Sequence, residues 1–149
     1  MTDDLAPALK KALLERAGEA LRHWPAPAQQ PQLLKYRENA VFRIVLADNR
    51  PAALRLHRAG YHDEAALRSE LAWMTALREG GLDVPASIPA ADGRSLVPLI
   101  GDSRFAAQYA DVVSWIDGVP FGQTGTPLAQ PPEKQAELFF RVGQAMATM

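Results

Sequence analysis

Two charged residues stand where the hydrophobic pattern calls for apolar ones. The stretch "RPAALRLHRAG", residues 50–60, reads as a half-buried strand with Arg55 in its middle. A guanidinium is permanently charged and forked, suited to gripping a carboxylate or a phosphate, and away from water it needs such a partner. The stretch "DEAALRSELAWMTALRE", residues 63–79, has the period of a helix, and Glu70 falls on the same stripe as Leu67, Leu71 and Met74. An inward carboxylate also demands a partner, and Arg55, on the strand just before this helix, is the nearest candidate. Taken singly, each residue has a plain structural reading: Glu70 at the stripe's edge reaching water, Arg55 as a charge that protects an edge strand from aggregation.

The elements that must position this pair follow from the pattern. Residues 4–23 form an amphipathic helix carrying Leu5, Leu9, Leu13, Ala17 and Leu21 on one face, expected to pack against the rest of the domain. The proline-rich "HWPAPAQQPQ" ends it. Three strand-like runs come next, at about 33–37, 41–47 and 52–58, with "REN" and "ADNRP" as the turns between them. Connections this short favour antiparallel neighbours. After the 63–79 helix, which Gly80 and Gly81 close, strands are expected near 95–99 and 105–116, with Asp92-Gly93 and "GDS" as turns. "VPFGQTGTPLAQPP" is loop, and "EKQAELFFRVGQAMATM" is a helix with Leu138, Phe139, Val142, Ala145, Met146 and Met149 on one side. That stripe runs to Met149 without a terminating signal, which suggests the front part of a longer protein.

Composition narrows the function classes. The chain has 149 residues, one domain's worth, with 48% hydrophobic and 22% charged residues. Its 16 basic and 17 acidic residues give a net charge of −1, so bulk attraction to nucleic acid or an anionic membrane is not expected. With no cysteine, disulfide frameworks, thiol nucleophiles and Cys-based metal sites are excluded. No export signal or membrane-spanning run is visible, and a cytoplasmic location is expected. His57 and His62 with Asp63 are read as surface residues at a strand end and a helix start, since no third ligand has suitable spacing to them. Ser114 has no His or acid at a suggestive spacing for a nucleophile. Trp24, Trp73 and Trp115 are read as core or interface residues.

Strand, turn, strand, a basic residue on the third strand, a helix with an inward Glu, two more strands and a loop: this order resembles the N-terminal lobe of the protein-kinase-like fold. "AALR", residues 52–55, takes the place of the kinase Val-Ala-Ile-Lys run. The closer resemblance is to the aminoglycoside phosphotransferase family, which includes type II homoserine kinases. "ENAVFRIVLADNRPAALRLHR" resembles its second and third strands, "RSELAWMTALREGGLDVPASIPAADG" its helix and the entry to the next strand, and "VVSWIDGVPF" its hinge. The resemblance covers about residues 30–149.

The fold so implied is α+β: a kinase-like N-lobe with an antiparallel sheet of about five strands and a helix on it, plus N- and C-terminal helices. The implied organisation is an N-terminal helix at 1–24, the lobe at 25–117, and a hinge loop with the first helix of a C-lobe at 118–149. The implied activity is ATP-dependent transfer of a γ-phosphate to a hydroxyl of a small molecule or protein. Arg55 would contact the α/β-phosphates and Glu70 would orient it. The backbone of Ser114 and Ile116 would pair the adenine edge, Val113 would pack near the base, and the turn around Arg37, Glu38 and Asn39 would cover the phosphates.

Three departures from the family pattern stand out. The third-strand cation is Arg, not Lys. The phosphate-covering turn has no glycine, although Asn39 tolerates unusual backbone angles. The catalytic half is missing: the only histidines, His23, His57 and His62, precede the hinge, so no His-x-Asp catalytic loop is present and no catalytic residue is assigned. Magnesium ligands are expected outside these residues, and the chain alone is expected to be inactive. The implied partners are ATP, an unknown hydroxyl acceptor, and either a second copy of the chain or a C-terminal lobe. The alternative is a non-catalytic α+β binding module in which Arg55 and Glu70 form a structural ion pair.

Overall fold

Prolines, glycines and a change of hydrophobic period mark the element boundaries. The computed structural model describes residues 5–25, 27, 29–119, 122, 125–147 and 149. Helix α1 spans Pro7–Leu21, with proline in its first turn, where the missing N–H costs nothing. It is shorter than the expected 4–23, because Pro7 sets its start and Pro25 follows its end. Strands β1 (Gln32–Tyr36), β2 (Asn39–Val45) and β3 (Pro51–His57) follow as two hairpins. The β2–β3 turn closes through Leu46 N–H donating to the Arg50 carbonyl at 2.9 Å, with Asn49 at φ 64°. Asparagine is among the few side chains that tolerate this left-handed geometry.

Helix α2 (Glu64–Glu79) starts on Asp63, whose Oδ1 accepts from the Ala66 N–H at 2.8 Å. Gly80 caps its end, and Gly81 follows at φ 89°. Strands β4 (Val97–Leu99) and β5 (Gln108–Ser114) complete the sheet, and α3 (Pro132–Ala147) is the last element described. β5 begins later than the expected 105 because Asp102 organises a turn, its Oδ1 accepting from the N–H groups of Arg104 and Phe105. Part of the expected loop before α3, at 120, 121, 123 and 124, lies outside the described residues.

The sheet has five strands in the order β1-β2-β3-β5-β4, every neighbouring pair antiparallel. This matches the expected α+β class. Register decides which side chains share a face. Ala40, Phe42 and Ile44 of β2 stand opposite Leu56, Leu54 and Ala52 of β3, and Leu56 and Leu54 stand opposite Ala110 and Val112 of β5. All are buried, in one cluster with Leu13, Ala17, Ala20 and Leu21 of α1 and with Trp24. Trp24 also donates from Nε1 to the Ile88 carbonyl at 2.8 Å.

The other face alternates with the first. It carries Asn39, Val41 and Arg43 from β2, Ala53, Arg55 and His57 from β3, and Tyr109, Asp111 and Val113 from β5. Helix α2 packs against this side through Leu67 and Leu71, which are buried with Leu96 and flanked by Met74 and Tyr109. Helix α3 has the expected apolar stripe, yet none of its residues is buried, and Phe139, Phe140, Val142 and Met146 are exposed.

Candidate functional site

Arg55 is the centre of a four-residue charged network on the α2 side of the sheet. Its Nη1 donates to Glu70 Oε1 at 2.6 Å. Its Nε and Nη2 donate to Asp111 Oδ1 and Oδ2 at 2.7 and 2.8 Å, a bidentate pair. His57 Nε2 lies 2.7 Å from Asp111 Oδ2. An ionised carboxylate only accepts, so Nε2 is the nitrogen that carries the hydrogen.

Each position follows from local structure. Arg55 and Asp111 are direct partners in the β3–β5 ladder, so their side chains rise side by side from one face. His57, two residues along β3, reaches the same carboxylate from the same face. Glu70 lies on the stripe of α2 that faces the sheet, one turn from Leu67 and beside Leu71.

Depth separates the two carboxylates. Asp111 is fully enclosed at 0% exposure, whereas the Glu70 side chain is 41% exposed and that of Arg55 16%. Burial pushes the Asp111 carboxyl up, but the hydrogen bonds from His57 and Arg55 outweigh it and hold the group below its usual value. Burial works against the Arg55 charge, and the hydrogen bonds and charges of Asp111 and Glu70 more than restore it, so the guanidinium stays charged. Nothing else among the described residues bonds to Arg55. Of its five N–H groups two are therefore left, one on each terminal nitrogen.

Of the other residues singled out in the sequence, Asn39 and Val113 lie on the Arg55 face, whereas Ser114, paired with Ala52, alternates to the opposite face at the end of β5. Val113 is buried two positions from Asp111 and directly opposite Ala53. Val41 stands opposite Arg55. Asn39 opens β2 opposite His57, beside the two-residue turn of Arg37 and Glu38. Ser114 ends β5 and is tied to the preceding segment: its N–H donates to the Ala86 carbonyl at 2.8 Å, and its Oγ accepts from the Ala86 N–H at 2.8 Å. Ile116 lies two residues beyond and is exposed. The Arg43 guanidinium sits 5.5 Å above the Trp115 ring, whose Nε1 donates to Asp117. The structure brings Arg55 and Glu70 into contact, while Asn39 lies toward one end of the sheet and Ser114 and Ile116 toward the other.

Sequence reasoning missed two members of the network. His57, read as a surface residue, is only 4% exposed because it closes over Asp111. Asp111 drew no attention at all. Its signal was an acid between apolar residues in "QYADVVS", on the same alternation as Tyr109 and Val113. Trp73, read as core or interface, is exposed on α2.

The arrangement is a charged fork locked from beneath, with two N–H groups to spare and apolar Val41, Ala53 and Val113 along the same face. A cavity of about 580 Å³ lies elsewhere, between α1 and the segment leading to β1 near Gly18, Leu21 and Trp24. It has no charged network of this kind. Among the described residues no group of three His, Asp or Glu side chains is placed to hold a metal ion, and no helix is long and apolar enough to cross a membrane.

Residues 31–149 match the family described as the phosphotransferase enzyme family. Among solved structures, the chain is similar to a microcompartment-associated aminopropanol kinase, with 29% identity and a TM-score of 0.60 over 68% of this chain and 31% of that one. It is similar in fold to the amicoumacin kinase hAmiN, solved in complex with AMP-PNP, Ca2+ and Ami, with 15% identity and a TM-score of 0.62 over 76% of this chain and 34% of that one. The chain thus spans about a third of the length of either kinase. No curated protein matches it.

Proposed function

The chain belongs to the phosphotransferase enzyme family, and we propose that it is the nucleotide-binding lobe of an ATP-dependent phosphotransferase that transfers the γ-phosphate to a hydroxyl of a small molecule or protein. The observation that carries this reading is the 2.6 Å contact from Arg55 to Glu70 on the α2 side of the sheet, with two N–H groups of the guanidinium left over. Arg55 would give these to α/β-phosphate oxygens, and Glu70 would keep the fork from swinging away. Val41, Ala53 and Val113 would pack on the base, and the Ser114 carbonyl and Ile116 N–H would pair its edge.

The spacing supports the assignment. Ser114 stands opposite Ala52, three residues from Arg55, which at the rise of a strand is about 10 Å. That span suits a nucleoside running from its base to its first phosphate. Asn39 and the Arg37–Glu38 turn lie at the phosphate end, where backbone N–H groups would cover the oxygens. Magnesium, when bound with the nucleotide, would neutralise phosphate charge. Its protein ligands are proposed to lie outside these residues. We infer a cytoplasmic setting and no phosphate transfer from these 149 residues alone, since they contain no His-x-Asp run after the hinge.

A melting series in rising Mg-ATP tests the reading. A site for nucleotide raises the midpoint with ligand concentration, and Arg55→Ala abolishes the rise. The bidentate hold of Asp111 on Arg55 favours one rival, a purely structural ion pair in a non-catalytic module. On that reading Arg55→Ala lowers the midpoint and no nucleotide-dependent rise exists to lose.

A further inference from the structure

We propose that Asp111, seated by His57, is a positioning residue that sets Arg55 for phosphate. The inference rests on the nucleotide-binding reading above and goes beyond the Arg55–Glu70 contact. Arginine in place of lysine creates a specific difficulty. A guanidinium has two edges on which a carboxylate can sit in bidentate fashion, and a glutamate on the adjoining helix can take the outer edge entirely. The N–H groups needed for phosphate would then be consumed.

The observed geometry avoids that outcome. Asp111 takes the inner edge, formed by Nε and Nη2, at 2.7 and 2.8 Å. It is fully enclosed and directly opposite Arg55 in the ladder, so it cannot follow the guanidinium if that group moves. His57 holds the Asp111 carboxylate through Oδ2 at 2.7 Å, the oxygen that also accepts from Arg55 Nη2, and is itself buried. Glu70, half in water, is left with a single bond to Nη1. One N–H on each terminal nitrogen stays unpartnered among the described residues. Without the charge on Asp111 the inner edge loses its hold, the fork turns toward Glu70, and the outer edge closes to phosphate.

The test separates phosphate binding from base binding. Mg-ATP and adenosine are titrated into the wild-type chain and into Asp111→Asn. Adenosine affinity is expected to stay unchanged, while Mg-ATP affinity falls roughly tenfold, the scale of one charge-assisted hydrogen bond. His57→Gln, which leaves the Arg55 ion pairs in place, is the second variant should Asp111→Asn not fold, with an expected loss of about threefold for Mg-ATP alone. In Arg55→Lys, which has no fork to orient, His57→Gln should change Mg-ATP affinity no further. Equal losses for adenosine and Mg-ATP, unchanged Mg-ATP affinity, or tighter Mg-ATP binding through relief of repulsion would each overturn the inference while the nucleotide site stands. A wild-type chain that binds neither ligand overturns both.

Discussion

Asp111→Ala and Glu70→Ala each remove a carboxylate from the same guanidinium, yet they should differ sharply in cost. Asp111 has no exposure, accepts two hydrogen bonds from Arg55 and receives a third from His57. Its loss leaves a mostly buried cation and a buried imidazole N–H without their partner. Breaking a buried pair from one side costs about 3–5 kcal/mol. Glu70 gives up one hydrogen bond from a side chain that is 41% exposed, where water replaces the partner. An exposed pair of that kind is worth about 0.2–1 kcal/mol.

Urea unfolding followed by tryptophan fluorescence measures the difference, since Trp24 lies in the core. At a slope of about 1.5 kcal/mol/M, Asp111→Ala moves the midpoint down by about 2–3 M and Glu70→Ala by under about 0.7 M. The double variant Arg55→Met with Asp111→Leu, which removes both charges and keeps the volume apolar, recovers most of the loss. Equal midpoint shifts for the two single variants would refute the argument from depth, as would a double variant less stable than Asp111→Ala.

Acid should act through the same carboxylate. The Asp111 carboxyl is lowered in the folded state: burial raises it, and the bonds from His57 and Arg55 prevail. Its contribution is therefore complete above the ordinary aspartate value and is lost as pH falls through the lowered one. Wild-type stability, measured by urea midpoints across pH, should drop steeply below about pH 4, and Asp111→Asn should flatten that drop. Asp63→Ala removes the oxygen that accepts from Ala66 N–H, and a loss of about 1 kcal/mol is expected in the same unfolding assay.

The sheet and the helix that covers it were legible because their signals are local. Alternation in "NAVFRIV" and "PAALRLH", an Asn in the turn between them, and an Asp-capped helix closed by two glycines are written in adjacent residues. Glu70 was legible because the period of α2 puts it with Leu67 and Leu71. Asp111 was not, because its partner lies 56 positions away. Only the insertion of β5 between β3 and β4 makes them neighbours. His57 was misjudged for the same reason, since a histidine at a strand end reads as exposed until the strand beside it supplies a carboxylate. The stripe on α3 was visible too, but a stripe cannot say what covers it, and no described residue does so closely enough to bury it.

A backbone and arginine side-chain NMR titration with Mg-ATP tests the central claim most directly. Signals from Val41, Ala53, Arg55, Val113, Ser114 and Ile116 should move together and saturate along one binding curve. Nucleotide at millimolar concentration that leaves these signals still, or that instead moves those around Gly18, Leu21 and Trp24 beside the 580 Å³ cavity, would contradict it.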